Sequence, residues 1–281
     1  MNLISKIGLG TVQFGLDYGI SNNSGKTAIN EVEKILISAA EKGVEIIDTA
    51  RAYGDSEIVL GKCQISDRFK VISKFMPSEL EGEIRNQFAK SCLDLKVDRL
   101  YGYLAHRPTA LLENNRDWKT ITELKSEGKI KKIGFSLNTP EELEDLLNKD
   151  MFPDLIQVPY NYFDRRFEDW MINLKKQGCE IHTRSSFLQG LFFVHYDKLD
   201  TYFVEVKENI QDLQLRFQSE LSSVLLKYVL TKPFIDAAIM GVESEQQLIE
   251  NIKGLQNASV LEDLEKEIPD SILMPSNWPK K

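Results

Sequence analysis

A short apolar run followed by a stretch of helical period recurs eight times along 281 residues, with no linker rich in proline, glycine or serine between the units. This alternation restricts the fold more than any other property of the sequence. The runs fall at residues 7–11, 44–47, 69–74, 100–105, 130–135, 154–158, 180–183 and 235–240. Between them, apolar side chains repeat at three- and four-residue spacing: Val32, Ile35, Leu36, Ala39 and Ala40; Ile84, Phe88, Cys92 and Leu95; Trp118, Ile121 and Leu124; Leu221, Val224, Leu225, Tyr228 and Val229; Leu248, Ile252 and Leu255. Short helices are also expected over 56–61 and 167–174. Asn30 is the expected cap of the first helix, and Gly43 and Gly128 are expected stops. Thr139-Pro140-Glu141-Glu142 supplies a cap, a proline and two acids at a helix start. Residues 187–217 read as a loop with a broken helix, and residues 275–279 as an extended tail.

One strand per helix, sustained eight times, predicts an α/β protein built as a (β/α)8 TIM barrel, one domain over residues 1–281. The rival is an open doubly wound sheet. That fold usually carries G-x-G-x-x-G after its first strand, and Gly8-Leu9-Gly10 is followed by no third glycine and opens a loop.

Composition narrows the function classes. A formal net charge of −8 argues against nucleic acid or an anionic membrane as the main partner. Cys63, Cys92 and Cys179 are odd in number and form no C-x-x-C, so neither a disulfide frame nor a zinc or other metal site is expected. No run of about 18 apolar residues is present, and the opening six residues have no signal-peptide pattern. A cytoplasmic location is the expectation.

In a (β/α)8 barrel the C-terminal ends of the strands carry the chemistry. Asp48 follows the second run and Tyr53 lies on its loop; Lys74 ends the third run and His106 follows the fourth. Neighbouring strands lie about 4.8 Å apart, so these side chains can converge on one mouth. Each alone has a structural explanation, as a loop aromatic, a solvated lysine, a turn cap or a hydrogen-bonded histidine. Together they make a proton donor. A phenol with an ordinary pKa of about 10 is a poor acid–base group at neutral pH, and a nearby ammonium favours its ionised form. Asp48 can hold Lys74 charged, and His106 can orient a substrate oxygen. That set suits protonation of a carbonyl oxygen as hydride arrives at carbon. No side chain donates hydride, so a nicotinamide cofactor is implied.

Ile46-Ile47-Asp48-Thr49-Ala50 with Tyr53-Gly54, Ser73-Lys74 and His106-Arg107-Pro108 resembles the aldo-keto reductases, and further similarity runs from about residue 5 to 258. It includes Gly8-Leu9-Gly10-Thr11, Gly134-Phe135-Ser136, Gln157-Val158-Pro159-Tyr160-Asn161, Arg184-Ser185-Ser186-Phe187-Leu188-Gln189-Gly190-Leu191 and Gly241-Val242-Glu243-Ser244 with Glu250-Asn251. The resemblance implies Tyr53 as general acid, Asp48 and Lys74 as its tuning pair, and His106 as the orienting group. It implies NADP(H) or NAD(H) lying along the ends of strands five to eight, near Gly10 and Thr11. Ser136 and Gln157 would meet the nicotinamide amide, Arg184 its ring, and Ser185, Phe187, Gln189 and Leu191 the pyrophosphate. Gly241, Ser244, Gln247, Glu250 and Asn251 would face the adenosine end.

Four departures from the family pattern carry their own expectations. Leu137 separates Ser136 from Asn138, which suggests fewer bonds to the amide. Arg184 takes a position often held by tyrosine, where its charge would repel an oxidised nicotinamide and favour the reduced form. Gly241 and Gln247 stand where NADPH-preferring members place basic residues, with Glu243 and Glu245 nearby, so a weakened NADPH preference is expected unless Lys253 reaches in. The few residues before strand one are too short for the usual closing hairpin, and the short stretch after the last helix suggests an open substrate site.

The substrate expected is a small-molecule aldehyde or ketone, a sugar or small polar carbonyl, with Tyr18, Tyr53 and His106 as its contacts. Pocket walls are expected from residues 13–22, the loop after His106 and residues 187–217, with Phe14, Asp17, Phe163, Phe192 and Tyr196 as further candidates. The stretch from Gly10 to Ile20 resembles a bacterial branch associated with sugar and surface-polysaccharide metabolism. Two other classes are compatible with the residues: a cofactor-sensing subunit with little turnover, and a Schiff-base lyase using Lys74.

Overall fold

In the computed structural model, β1 (Ile7–Gly10), β2 (Ile46–Asp48), β3 (Lys70–Phe75), β4 (Leu100–Ala105), β5 (Ile130–Ser136), β6 (Leu155–Pro159), β7 (Glu180–Arg184) and β8 (Ala237–Gly241) pair in sequence order. β8 returns to β1, so all eight strands form a closed parallel barrel. The structure describes residues 3–19, 22, 25–65 and 68–279.

The two-residue period of a strand decides what this barrel holds inside. Ile46, Ile72, Leu104, Leu155, Ala237 and Ile239 form a closed apolar cluster of their own, the filling of the barrel. Their neighbours Ile47, Val71, Tyr103, Ile156 and Ala238 belong to the larger core between strands and helices. Stepping two residues toward the C-terminal end leads from Ile46 to Asp48, from Ile72 to Lys74, from Leu104 to His106 and from Leu155 to Gln157. The alternation that packs the core thus points these four polar groups into the mouth. Gly8 admits the filling: a Cβ there would lie 2.4 Å from Ile239 Cδ1.

At the opposite end, Glu180 accepts from Tyr101 Oη (2.7 Å) and pairs with Lys132 (2.8 Å) and His182 Nε2 (2.7 Å). Burial alone would raise the Glu180 carboxyl, but these partners hold it well below the usual range. A 3-10 turn, Leu3–Lys6, lies ahead of β1 and touches β8, and Lys6 Nζ donates to Leu230 O and Lys232 O at 3.3 and 3.2 Å. It occupies the end of the barrel where the family hairpin was expected to be missing.

Several elements differ from expectation. β2 begins at Ile46 and includes Asp48, whose backbone is registered with Gly10 and Ile72. The first long helix spans Ile29–Glu41 with Ala28 at its cap position, because the Asn30 side chain bonds the adjacent Glu31 N–H instead. Within residues 187–217 the chain forms 3-10 turns at Leu188–Phe193, Tyr196–Lys198 and Thr201–Phe203, then an unbroken helix Val204–Phe217. Residues 275–279 are not simply extended. A helical turn, Asp270–Leu273, leads to a 3-10 turn, Pro275–Asn277. Trp278 Nε1 then donates to Ile272 O (2.9 Å), and its ring meets Phe203 edge-on at 5.0 Å. No helix among the described residues is long and apolar enough to cross a membrane.

Candidate active site

Lys74 is wholly buried and makes three hydrogen bonds from Nζ: to Asp48 Oδ2 (2.6 Å), Thr49 O (3.0 Å) and Tyr53 Oη (3.4 Å). Burial on its own would drive off the proton. The carboxylate of Asp48, helped by Tyr53, outweighs that penalty and raises the lysine above its ordinary range. Lys74 is therefore a fixed ammonium. It also lies 4.9 Å from the Tyr53 ring centre.

His106 meets Tyr53 edge-to-face, ring centres 5.6 Å apart. Its Nδ1 is buried with no partner. Burial first, then the charges of Lys74, Arg184 and Arg107, pull its pKa down to about 3. The imidazole is neutral at physiological pH, and with Nδ1 enclosed, Nε2 is the atom left to serve a ligand.

The Tyr53 loop is held from both sides. Below it, Thr11 Oγ1 donates to Asp48 O (2.9 Å), and Ser56 Oγ bonds Thr11 O and Oγ1, each at 2.9 Å. Behind it, Arg51 Nη1 reaches buried Glu57 at 3.4 Å, and Arg51 Nε reaches Glu81 at 3.3 Å. Ser73, the neighbour of Lys74, donates to Glu57 Oε1 at 2.6 Å. Burial raises the Glu57 carboxyl, opposed by this bond, by a second from Ser91 Oγ (3.2 Å) and by Arg51. In front, the 12–15 turn presses so close that a Cβ on Gly15 would lie 1.8 Å from Tyr53 O.

A cavity of about 940 Å³ opens above this group. Asp48, Tyr53 and His106 line it, as do Gly10, Thr11, Tyr18, Ser136, Gln157, Arg184, Ser185, Phe187, Gln189, Gly241, Gln247 and Asn251. Lys74 lies beneath it. Three expected cofactor residues lie outside: Leu191 is fully buried in the core, Ser244 spends its hydroxyl capping Glu245–Lys253 through Gln247 N, and Glu250 bonds Gln246 on the same helix. Of the proposed walls, Phe14 is core, Phe163 and Phe192 pack on each other at 4.7 Å, and Tyr196 stacks on His195 away from the cavity. Asp17 is exposed outside the lining. Within 13–22, residues 20 and 21 are not among those described.

The wall fits a dinucleotide. Gln157 Nε2 is committed to Asp48 Oδ1 (2.7 Å), leaving its carbonyl oxygen as an acceptor. Ser186 Oγ and Gln13 Oε1 are buried on the wall without a partner among the described residues. Ser185, Leu188 and Gln189 all have positive φ (63°, 46° and 51°), so this loop is held in a strained shape at the cavity wall. Arg184 is pinned by Leu137 O (2.9 Å), Asn138 Oδ1 (2.7 Å) and Ser185 Oγ (3.4 Å). Asn138 is thereby engaged with the arginine. Gln247 accepts from Glu243 N (2.8 Å), and Lys253 is absent from the lining.

Sequence reasoning missed several wall residues. Gln13 and Arg107 lie in segments expected to wall the pocket but without a role of their own, and Arg166, Gln218, Ser219 and Ser222, the last three at a helix junction, were not expected. Leu273, Met274, Pro275 and Ser276 also line the cavity, so the expected open side is walled. For the 218–222 junction, the polar break Gln218-Ser219-Glu220 between two apolar periods was the available signal.

Comparison with known proteins agrees with the geometry. The model of the Aldo/keto reductase family matches residues 6–270. An oxidoreductase of Bacillus subtilis, YqkF, is 25% identical over 92% of this chain and 90% of its own length. The NADH-specific methylglyoxal reductase of Escherichia coli is 24% identical, covering 90% of each chain. Among solved structures, the holo form of aldo-keto reductase AKR11C1 from Bacillus halodurans superposes with a TM-score of 0.72 at 20% identity, over 92% of this chain and 88% of the other. An aldo-keto reductase of Klebsiella pneumoniae in complex with NADPH gives 0.66 at 21%, over 92% and 87%. With the barrel and the match over residues 6–270 in agreement, the chain belongs to the aldo/keto reductase family, oxidoreductases that reduce carbonyl groups with NAD(P)H.

Proposed function

We propose that the protein reduces a small polar aldehyde or ketone, with Tyr53 giving a proton to the carbonyl oxygen. The observation that carries this reading is the hydrogen-bonded line Asp48–Lys74–Tyr53 at the cavity floor. The nicotinamide, when bound, supplies hydride to the carbonyl carbon. Ser136 and the Gln157 carbonyl oxygen would hold its amide, and the loop carrying Ser185, Phe187 and Gln189 its phosphates. Lys74, fixed as an ammonium, stabilises the negative charge that builds on the Tyr53 oxygen as its proton leaves. Neutral His106 aligns the carbonyl oxygen through Nε2 without competing as an acid. Tyr18, bonded through its hydroxyl to Gln189 (2.9 Å), forms the outer wall.

A Schiff-base role for Lys74 fits less well. Imine formation needs a free, accessible amine, whereas Nζ is buried, charged and triply bonded. The test is NAD(P)H oxidation with an aldehyde panel, comparing the native chain with Tyr53→Phe. A loss of about 10²-fold or more in kcat is expected for a missing general acid; undiminished turnover would overturn the mechanism. Absence of turnover with tight cofactor binding would favour a sensing role instead.

A further inference from the structure

The charges on the cavity wall do not cancel. Besides neutral His106, five charged side chains among the described residues line it: Asp48, Glu243, Arg107, Arg166 and Arg184. Asp48 is matched by Lys74, and Arg166 by Asp164 (2.8 Å) and Asp270 (3.1 Å). Glu243 stands beyond β8, where burial and nearby Asp17 raise its carboxyl. Arg107 and Arg184 are left over. Among the described residues neither has a carboxylate in ion-pair contact. The three acceptors that fix Arg184 are all neutral: two carbonyl-type oxygens and a hydroxyl.

The two guanidinium groups line the same cavity. Arg107 directly follows His106 at the tip of β4, and Arg184 ends β7. Both line the cavity that His106 lines, and their charges add to the burial and the Lys74 charge that oppose protonation of its ring. Arg107 is exposed and Arg184 half-buried, so water solvates both, but an anionic group entering the cavity meets two guanidinium groups that no carboxylate occupies. In a chain of net charge −8, they also form a local field that draws an anion to the mouth. Beyond its Nη2 bonds and the Nη1 bond to Ser185 Oγ, Arg184 keeps Nε–H and the second Nη1–H as donors, and a guanidinium can present its edge to an oxyanion while its face lies on a ring.

From this arrangement we infer that the carbonyl substrate is itself anionic. It carries a carboxylate or phosphate a few bonds from the carbonyl, held by Arg107 and Arg184 while the carbonyl oxygen meets Tyr53 and His106. The inference rests on the carbonyl-reductase reading and narrows its substrate class. A carboxylate and a phosphate share the chemistry the arginines recognise, and so does the cofactor's pyrophosphate.

The experiment uses the full chain at saturating NADPH or NADH with matched pairs: succinic semialdehyde against butanal, and glyceraldehyde 3-phosphate against glyceraldehyde. One charged member should exceed its neutral partner in kcat/KM by about tenfold or more, the size of one charge-assisted hydrogen bond. Which pair shows the advantage identifies the anion. Arg107→Gln and Arg184→Gln should each cut that ratio by a similar factor, chiefly through KM. Calorimetry of the cofactor-loaded protein with succinate and glycerol 3-phosphate, which cannot be reduced, gives a second readout: binding that Arg107→Gln weakens supports the anion site even if no carbonyl turns over. Neutral partners reduced as well as the anions would overturn the inference. So would a ratio insensitive to both substitutions, neither analogue binding, or a loss of cofactor affinity as large as the loss in the ratio, which would assign the arginines to the cofactor. If the analogues bind but no carbonyl is reduced, it is the reductase reading that falls.

Discussion

Gln157 on β6 donates to Asp48 on β2 across the barrel, Nε2 to Oδ1 at 2.7 Å, while the other oxygen of the same carboxylate takes Lys74 at 2.6 Å. Asp48 therefore joins the wall expected to hold the cofactor's amide to the base of the proton donor. Both its oxygens are committed, and its side chain is almost wholly buried, as is that of Lys74. Asp48→Asn removes the only ion-pair partner of Lys74 among the described residues. An uncompensated buried charge costs about 3–5 kcal/mol. Urea denaturation should show a loss of that size alongside impaired turnover; a change under about 1 kcal/mol would mean that Lys74 sheds its proton and that its charge is not the fixed feature described above.

His106 gives a pH signature with a definite sign. Its folded pKa, about 3, lies below the ordinary histidine value. Between about 6.5 and 3, the unfolded chain binds a proton that the folded chain refuses, so this contribution is complete above the window and is lost as pH falls through it, by up to ~1.4 kcal/mol per pH unit. His106→Gln should flatten that part of the stability profile measured by chemical denaturation. The kcat profile should show no step near neutrality that His106→Gln removes.

Gly15 sets the position of Tyr53 without touching a substrate. A methyl group there would overlap Tyr53 O and lie 2.6 Å from Ser56 N, both backbone atoms that cannot rotate away. Gly15→Ala should cost about 1–3 kcal/mol in stability, as overpacking does. It should also lower kcat while leaving the affinity for NAD(P)H, followed by fluorescence, little changed. An equal fall in cofactor affinity would show that the strain spreads beyond the Tyr53 loop.

Cofactor choice can be read from the far end of the cavity. Gly241 has no side chain, Gln247 is bonded to Glu243 N, and the arginines and the histidine of the lining belong to other parts of the wall. A 2′-phosphate finds little there to pair with, and Glu243 opposes it. The dissociation constants of NADPH and NADH are expected within about tenfold of each other, since a favoured 2′-phosphate would need charged partners worth more than about 1.4 kcal/mol. A hundredfold preference for NADPH would refute this account. Gly241→Lys should shift the ratio toward NADPH.

The sequence made the barrel legible because each strand carried its own boundary chemistry: residues 100–105 are strand in both readings, and β5, β6 and β7 each extend one residue beyond the apolar run. The proton-donor group was legible for the same reason, since period-two alternation ties Asp48 and Lys74 to the apolar residues two positions before them. What failed was whatever depends on contacts between distant segments. Val204–Phe217 was hidden because its buried stripe is only Val206, Ile210 and Leu213 in a polar stretch. Asn30 looked like a cap because the alternative, a bond to its own neighbour, has no sequence signal. Gln157 carried no hint that its amide faces Asp48, and Arg107 was absorbed into a motif whose neighbour drew the attention.

The turn that carries Met274, Pro275 and Ser276 over the cavity is secured from outside the barrel, by Trp278 against Phe203 and by Tyr202 Oη bonded to Ser271 O (3.0 Å) and Asn277 O (3.3 Å). None of its residues contributes a rung to the sheet. This part of the cavity wall and the strand pairing thus lie in separate parts of the chain. The three residues can be varied to reshape the entrance while the proton-donor floor and the strand pairing stay as they are, which makes this turn the natural place to retune selectivity in the laboratory.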